Sequence, residues 1–281
     1  MRVPTLVFSL LALLVPALHA QENYFVTYSH QMEEPGNLEL GLKSISARPK
    51  GGDTFVGSAL EVEYGVNAWW TAELYLDGQH TANESTVFTG YRLESRFRPL
   101  QREHWINPVL YVEFENINGA DKSLLEIMGH DGNGDLTRRN DRGEKKREVE
   151  LKLITSSNFK GWNLSENLIA EKNLKNEPWE FGYAVGFGRP LSLKASAKPC
   201  TFCRENFSLG AEMYGGLGDR YSFGLHDTSH YFAPVIGLRA PSGMNFKLSP
   251  GFGLNGNSNG FSLRAGVTYE FEQIASKLRR H

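Results

Sequence analysis

The last apolar segment of the chain, residues 261–271, alternates strictly between apolar and polar side chains. Successive side chains of a β-strand point to opposite faces, so the segment has one apolar face and one charged face. Its apolar face also ends in two aromatic residues, Tyr269 and Phe271. This combination is typical of a strand whose outer face meets lipid and whose inner face meets water, and it predicts a membrane-spanning β-barrel.

The same alternation recurs along the chain in about twelve segments between Leu38 and Phe271, separated by turn residues. We therefore predict an all-β fold, an antiparallel transmembrane β-barrel of about 12 strands, an even number as expected for a single-chain bacterial barrel. The mean hydropathy of −0.39 agrees with this fold because only every second residue of such a strand meets lipid. A soluble β-sandwich would also alternate, with its apolar faces buried between two sheets.

The beginning of the chain indicates export. A basic start at Arg2 precedes an almost wholly apolar run, residues 6–18, and Ala20 is a small residue suited to cleavage. We predict a signal peptide over residues 1–20, followed by a barrel in the bacterial outer membrane over residues 21–281. The alternative is a retained helical anchor, for which the apolar run is shorter than the roughly 20 residues needed.

The lengths of the connections predict an orientation. If both chain ends lie in the periplasm, the long loop near residues 118–145 faces the outside, whereas tight turns near 65–68, 156–158 and 241–243 face the periplasm. Long outer loops and short periplasmic turns are the usual asymmetry. The connection 188–206 is long although it falls on the periplasmic side.

Charged residues on the polar faces of the segments are predicted to line the lumen. They are Glu61, Glu63, Glu73, Arg92, Glu94, Arg96, Glu113, Glu115, Glu150, Lys152, Glu212, Arg239, Lys247 and Arg264. These side chains could form a polar lining that selects which solutes pass. Alternatively they could pair across a narrow lumen and close it, since twelve strands lie between the filled eight-stranded and the open sixteen-stranded barrels.

Cofactor and partner predictions follow from what the chain offers. Cys200 and Cys203 predict a local disulfide or a pair of thiols in a turn, and two thiols alone do not complete a zinc site. A calcium-like run at residues 131–135 departs from the motif at Leu136 and Arg142. We therefore predict no metal and no cofactor. The near-neutral net charge of −2 gives no indication of a nucleic-acid partner.

A different function is suggested by Ser229 beside His230, which could belong to an outer-membrane lipid-modifying enzyme. Adjacent residues in a loop do not make a catalytic triad, and no carboxylate is identified as their partner. We therefore predict no enzyme activity. A third alternative is a structural or surface-interaction barrel with a closed lumen.

Several stretches resemble a group of uncharacterised bacterial outer-membrane β-barrel proteins described as porin-like or transporter-like. The stretches are 60–66, 107–113, 150–154, 167–172 and 230–235. Residues 264–271 also resemble the terminal signal of such barrels, with Gly266, Tyr269 and Phe271 as its characteristic residues. The resemblance implies a porin-like channel or small-solute transporter in the lipid bilayer, inserted by the outer-membrane barrel assembly machinery. It identifies no catalytic residue.

Overall fold

Twelve β-strands make up almost all regular structure in the computed structural model, which describes residues 24–123, 145–175, 177–198 and 200–274. The strands are β1 Leu38–Ala47, β2 Phe55–Asn67, β3 Trp70–Thr81, β4 Ser85–Phe97, β5 Asn107–Asn118, β6 Lys145–Phe159, β7 Trp162–Asn173, β8 Trp179–Pro190, β9 Phe207–Asp219, β10 His230–Arg239, β11 Met244–Gly253 and β12 Phe261–Phe271. One 3₁₀ turn, Arg204–Asn206, precedes β9.

The strands form a closed antiparallel barrel. Each strand pairs with its neighbours in sequence, and β1 closes the sheet by pairing with β12 from Leu38 opposite Phe271 to Ala47 opposite Ser262. The predicted twelve-stranded all-β barrel is thereby confirmed. We call the end at which β1 begins and β12 ends the proximal rim, and the opposite end the distal rim.

The hairpin between β6 and β7 turns in two residues, Lys160 and Gly161, whose φ angles are 50° and 82°. Left-handed backbone at both positions matches the twist of the flanking strands, and glycine adopts it at little cost. The turn expected at 156–158 was therefore placed too early: these residues belong to β6. Ser156 remains in the strand with its hydroxyl inside the barrel, where it accepts a hydrogen bond from the backbone N–H of His30.

The outer surface of the barrel is apolar. Leu residues on the outward faces of neighbouring strands are exposed around the circumference, among them Leu42, Leu60, Leu93, Leu110, Leu153, Leu168 and Leu248. Aromatic side chains flank this band: Trp70 stacks on Phe97 and Trp162 contacts Phe187 near the proximal rim, and Phe252 contacts Phe261 near the distal rim. An apolar band between two aromatic girdles is the surface of a barrel embedded in the outer membrane.

Three sequence features lie outside the described residues: the predicted signal peptide 1–20, the calcium-like run 131–135, and most of the long connection between β5 and β6. That connection begins and ends at the distal rim, where β5 ends and β6 begins. Within the described part of the chain, no helix is long and apolar enough to cross a membrane.

Candidate functional site

The interior of the barrel carries most of the charged side chains of the strands, in contrast to the largely apolar outer face. Of the residues predicted to line the lumen, most are buried: Glu61, Glu63, Glu73, Glu94, Arg96, Glu113, Glu115, Glu150, Lys152, Glu212 and Lys247. The other three, Arg92, Arg239 and Arg264, are partly buried. The alternation of faces places all of them on the inner wall because their immediate neighbours in sequence are the exposed apolar residues.

A continuous row of carboxylates crosses the inner wall from strand to strand. Its members, each directly opposite the next in the strand register, are Glu270, Glu39, Glu63, Glu73, Glu94, Glu113, Glu150, Glu171, Glu180 and Asp219. We call this set the acidic row. Because strands tilt in a closed barrel, a row of cross-strand neighbours climbs as it goes round. It begins near the proximal rim at Glu270 and ends at the distal rim at Asp219.

Basic side chains of the wall bind to the acidic row along its proximal part and middle. Arg96 contacts Glu63, Glu73 and Glu94. Arg92 contacts Glu113 at 3.4 Å, Lys152 contacts Glu150 at 2.8 Å and Arg239 contacts Glu270 at 3.2 Å. The charges that the barrel hides from lipid are thus partly neutralised by one another.

The balance of charge on the inner wall remains acidic. Inward positions of the described strands carry eight bases, namely Lys43, Arg92, Arg96, Lys146, Lys152, Arg239, Lys247 and Arg264. They carry fifteen carboxylates: the ten of the acidic row together with Glu61, Asp77, Glu115, Glu148 and Glu212. Where these carboxylates are ionised, their excess over the bases attracts positive charge.

A segment that the alternation did not identify lies inside the barrel. Residues 24–34, which precede β1, run through the lumen in an irregular conformation, and we call them the lumen segment. Tyr24, Val26, Tyr28 and His30 are all buried there. Val26 packs against Ala184 and residues of β9 and β10. The protein's own chain therefore occupies part of the lumen.

Glu212 holds the start of the lumen segment. Its carboxylate accepts hydrogen bonds from three consecutive backbone N–H groups, those of Phe25 at 3.0 Å, Val26 at 2.8 Å and Thr27 at 2.7 Å. Lys247 donates to the carbonyl oxygen of Tyr24 at 2.8 Å. Glu212 and Lys247 were predicted to line the lumen, and here they bind backbone groups of the lumen segment. Hydrogen bonds to charged groups are among the stronger ones in proteins.

Asn167 on β7 binds the next part of the lumen segment. Its Oδ1 accepts from the backbone N–H of Tyr28 at 2.7 Å, and its Nδ2 donates to the carbonyl oxygen of the same residue at 2.8 Å. The amide of Asn167 thus satisfies both backbone groups of one residue, as a neighbouring strand would. The hydroxyl of Tyr28 donates to Glu94 at 3.1 Å, and Lys152 lies 4.6 Å from the centre of its ring.

Glycines on the inner wall make room for the aromatic side chains of the lumen segment. A Cβ atom at Gly186 would lie 2.9 Å from the ring of Tyr24, and one at Gly266 would lie 3.1 Å from the ring of Phe25. Both glycines lie at inward positions of their strands. Their contacts with the rings of Tyr24 and Phe25 show why a side chain is excluded there. Gly266, predicted to belong to the assembly signal, therefore also contacts the lumen segment.

The lumen segment leaves the barrel at the proximal rim. There the ring of His30 lies 2.9 Å from a carboxylate oxygen of Glu103, in the connection between β4 and β5. Glu33 is partly buried beside two other carboxylates, and burial, followed by the charges of Glu270 and Glu39, raises the pKa of Glu33 to about 8. Glu33 is therefore mostly protonated at neutral pH.

We expect Glu33 to make the stability of the barrel depend on pH. Its pKa in the folded protein, about 8, exceeds the ordinary value of 4.5, so its stabilising contribution is complete below pH 4.5 and is lost as the pH rises to 8. The unfolding free energy should fall more between pH 5 and pH 8 in the parent protein than in Glu33→Gln, measured by urea titration. The exposed neighbour Glu34→Gln is the matched control. Parallel pH profiles for the parent and Glu33→Gln would contradict the expectation.

The remaining predicted residues lie away from the lumen segment. Cys200 and Cys203 form a disulfide in the connection between β8 and β9. Ser229 donates to the carbonyl oxygen of Asn257 at 3.0 Å, whereas the ring nitrogens of His230 lie 3.1 Å from the hydroxyls of Tyr183 and Thr228. Ser229 and His230 thus have separate partners. Tyr269 and Phe271 form an exposed aromatic pair with ring centres 4.6 Å apart.

Solved structures share this architecture. An outer-membrane channel from Pseudomonas putida F1 has a TM-score of 0.54 and 12% identity, with 84% of this chain and 96% of that chain covered. A KdgM porin has a TM-score of 0.53 and 7% identity, covering 83% and 99%. A KdgM porin in complex with disordered oligogalacturonate has a TM-score of 0.52 and 9% identity, covering 84% and 99%. At such identities the likeness shows the fold, that of porin-like barrels.

No protein-family model matches the sequence, and no curated protein matches it. The architecture shared with the solved structures confirms the resemblance seen in the sequence, which is to outer-membrane barrels of the porin-like kind.

Proposed function

We propose that the protein is a porin-like channel, without catalytic activity, that favours small positively charged solutes. The acidic row carries this proposal, because it supplies carboxylates at every step between the two rims of the barrel. Rings of carboxylates are a common means by which pores select cations. A narrow lumen walled by protein also concentrates the field of such charges.

The distribution of ion pairs supports the same reading. Arg92, Arg96 and Lys152 are themselves cations held against the acidic row. All three lie over tyrosine rings: Arg92 is 4.1 Å from the ring centre of Tyr75, Lys152 is 4.1 Å from that of Tyr111, and Arg96 is 5.3 Å from that of Tyr28. Carboxylates next to aromatic faces suit an organic ammonium or guanidinium group as well as a metal ion.

The solute class differs from that of one structural neighbour. Oligogalacturonate, which is bound by a KdgM porin, carries a carboxylate on each sugar unit. A lumen whose inward carboxylates outnumber its bases repels such a polyanion. We therefore propose passage of cations here, with the proximal rim facing the periplasm and Gly266, Tyr269 and Phe271 recognised by the assembly machinery.

The charge selectivity is testable in a planar bilayer under a potassium chloride gradient. We expect open events of the parent barrel to favour potassium over chloride several-fold. In the double variant Glu171→Gln with Glu180→Gln, this preference should fall at least twofold, because both side chains belong to the distal part of the acidic row. The reversal potential of single-channel currents measures the ratio.

Glu166→Gln is the matched control because Glu166 lies on β7, as Glu171 does, but is exposed on the opposite face. Its permeability ratio should equal that of the parent. A preference for chloride, or the same ratio in the double variant and the parent, would contradict cation selection. If neither the parent nor any folded variant conducts, including variants in which the lumen segment is displaced, the channel proposal is rejected.

A further inference from the structure

The lumen segment contacts the inner wall around most of the circumference of the barrel. Its residues 24–30 contact inward side chains or backbone of ten successive strands, β3 to β12: Tyr75, Glu94, Tyr111, Ser156, Asn167, Gly186, Glu212, Ala233, Lys247 and Gly266. Because these contacts come from nearly all sides, the segment obstructs the passage along the acidic row. We propose that the lumen segment is a releasable plug, bound by a groove of the barrel wall that recognises extended peptide. The inference rests on the proposed channel function.

The attachment of the lumen segment is compatible with release. The ladders from β1 to β12 close the barrel without it, so its departure breaks no strand pairing. In the described residues, it is held through wall side chains such as Glu212, Asn167 and Lys247. Polar side chains that bind backbone can exchange those contacts for water, so each contributes much less net free energy than its strength in an apolar medium, although the bonds to Glu212 and Lys247 are stronger than neutral ones.

A chain reversal connects the lumen segment to the barrel. Gly36 has a φ of 86°, a left-handed conformation that glycine adopts readily, and its N–H donates to the carbonyl oxygen of Gly65 at 2.7 Å. Asn37 accepts from the N–H of Gly65 at 3.1 Å. This junction fixes the point where β1 begins, so residues 24–34 can move while the strand stays in the sheet.

Three features of the groove in the barrel wall fit the lumen segment. Glu212 binds three successive N–H groups, Asn167 binds the N–H and the carbonyl of Tyr28, and Gly186 leaves the space that the ring of Tyr24 occupies. The first two contacts recognise the backbone rather than particular side chains. Binding of extended peptide through main-chain hydrogen bonds, with pockets for alternate side chains, is a recurring mode of recognition.

Gly186→Ala tests the plug from the side of the wall. The atoms nearest to a Cβ at Gly186 all belong to Tyr24, so the variant disturbs the lumen segment more than the sheet. Gly78→Ala is the matched control, because a Cβ there meets only the carbonyl oxygen of Val87, at an ordinary 3.5 Å.

Glu212→Gln is a second variant, since an amide oxygen cannot replace a carboxylate that accepts three hydrogen bonds. Glu148→Gln controls for its loss of charge, because Glu148 contacts Asn173 instead.

A thiol at residue 27 reports where the segment lies, whether or not the barrel conducts. Thr27 is buried, and its hydroxyl has no hydrogen-bond partner among the described residues, so Thr27→Cys removes no hydrogen bond. Cys200→Ser and Cys203→Ser remove the native thiols. We expect a membrane-impermeant maleimide to label Thr27→Cys at least tenfold faster when Gly186→Ala or Glu212→Gln is present. Labelling at equal rates in Gly186→Ala and Gly78→Ala, or fast labelling of the parent, would overturn the plug.

Conductance of the same variants separates the two proposals. If the plug closes the channel, Gly186→Ala and Glu212→Gln should spend at least fivefold more time open than the parent, and the controls should match the parent. Faster labelling with the parent's own open time would show that the segment leaves without gating, which overturns the plug. Faster labelling with no conductance in any variant would leave the release of the segment intact and reject the proposed channel.

Discussion

Replacing Arg96 with Met is expected to lower the unfolding free energy of the barrel by about 3–5 kcal/mol, the usual cost of removing one partner from a buried ion pair. Arg96 is buried and contacts three carboxylates of the acidic row, those of Glu63, Glu73 and Glu94. Methionine keeps the length of the side chain but leaves these carboxylates with fewer compensating charges. Like charges that face one another in low dielectric then oppose folding.

Urea unfolding in phospholipid vesicles, followed by tryptophan fluorescence, measures this loss. Arg204→Met is the control, because Arg204 is an exposed residue outside the strands and should change stability by less than about 0.5 kcal/mol. Adding Glu73→Gln to Arg96→Met should restore part of the stability by removing one of the stranded charges. A loss below about 1 kcal/mol for Arg96→Met would show that water reaches the acidic row and screens it.

The strands were predictable because each is encoded locally. Leu60 and Val62 alternate with Glu61 and Glu63 on β2, and this period of two determines which residues meet lipid and which lie inside. The same rule placed the lumen charges on the inner wall. The period of two also places the glutamates of the acidic row on the inner face. Which of them lie opposite one another depends on the strand register, and the register depends on turn geometry.

The lumen segment could not be predicted in the same way. Its contacts join residues far apart in sequence, such as Val26 with Glu212 and Tyr28 with Asn167. A glutamate that binds three N–H groups looks, in sequence, like any other inward charge. Glycines at inward positions, such as Gly186, are the one local signal, because they mark places where another part of the chain approaches closely.

The second large loss of stability is expected for a substitution on the membrane-facing surface. Leu168 lies near the middle of β7 and is 61% exposed on the outer face, opposite Leu153 and Tyr183. An arginine on the lipid face at the bilayer midplane costs about 2–4 kcal/mol. We expect Leu168→Arg to lose this much unfolding free energy in vesicles and to yield less heat-modifiable folded barrel.

The matched control for Leu168→Arg is Phe202→Arg. Phe202 is more exposed still, at 76%, but it lies in the connection between β8 and β9 at the proximal rim, where an arginine reaches water. Its cost should stay below about 0.5 kcal/mol, the usual range for surface substitutions. Exposure alone would predict a small cost at both positions, so a large cost confined to Leu168→Arg tests whether the apolar band meets lipid. Equal stability of Leu168→Arg and the parent would contradict the membrane assignment, because arginine on a solvent-facing strand costs little.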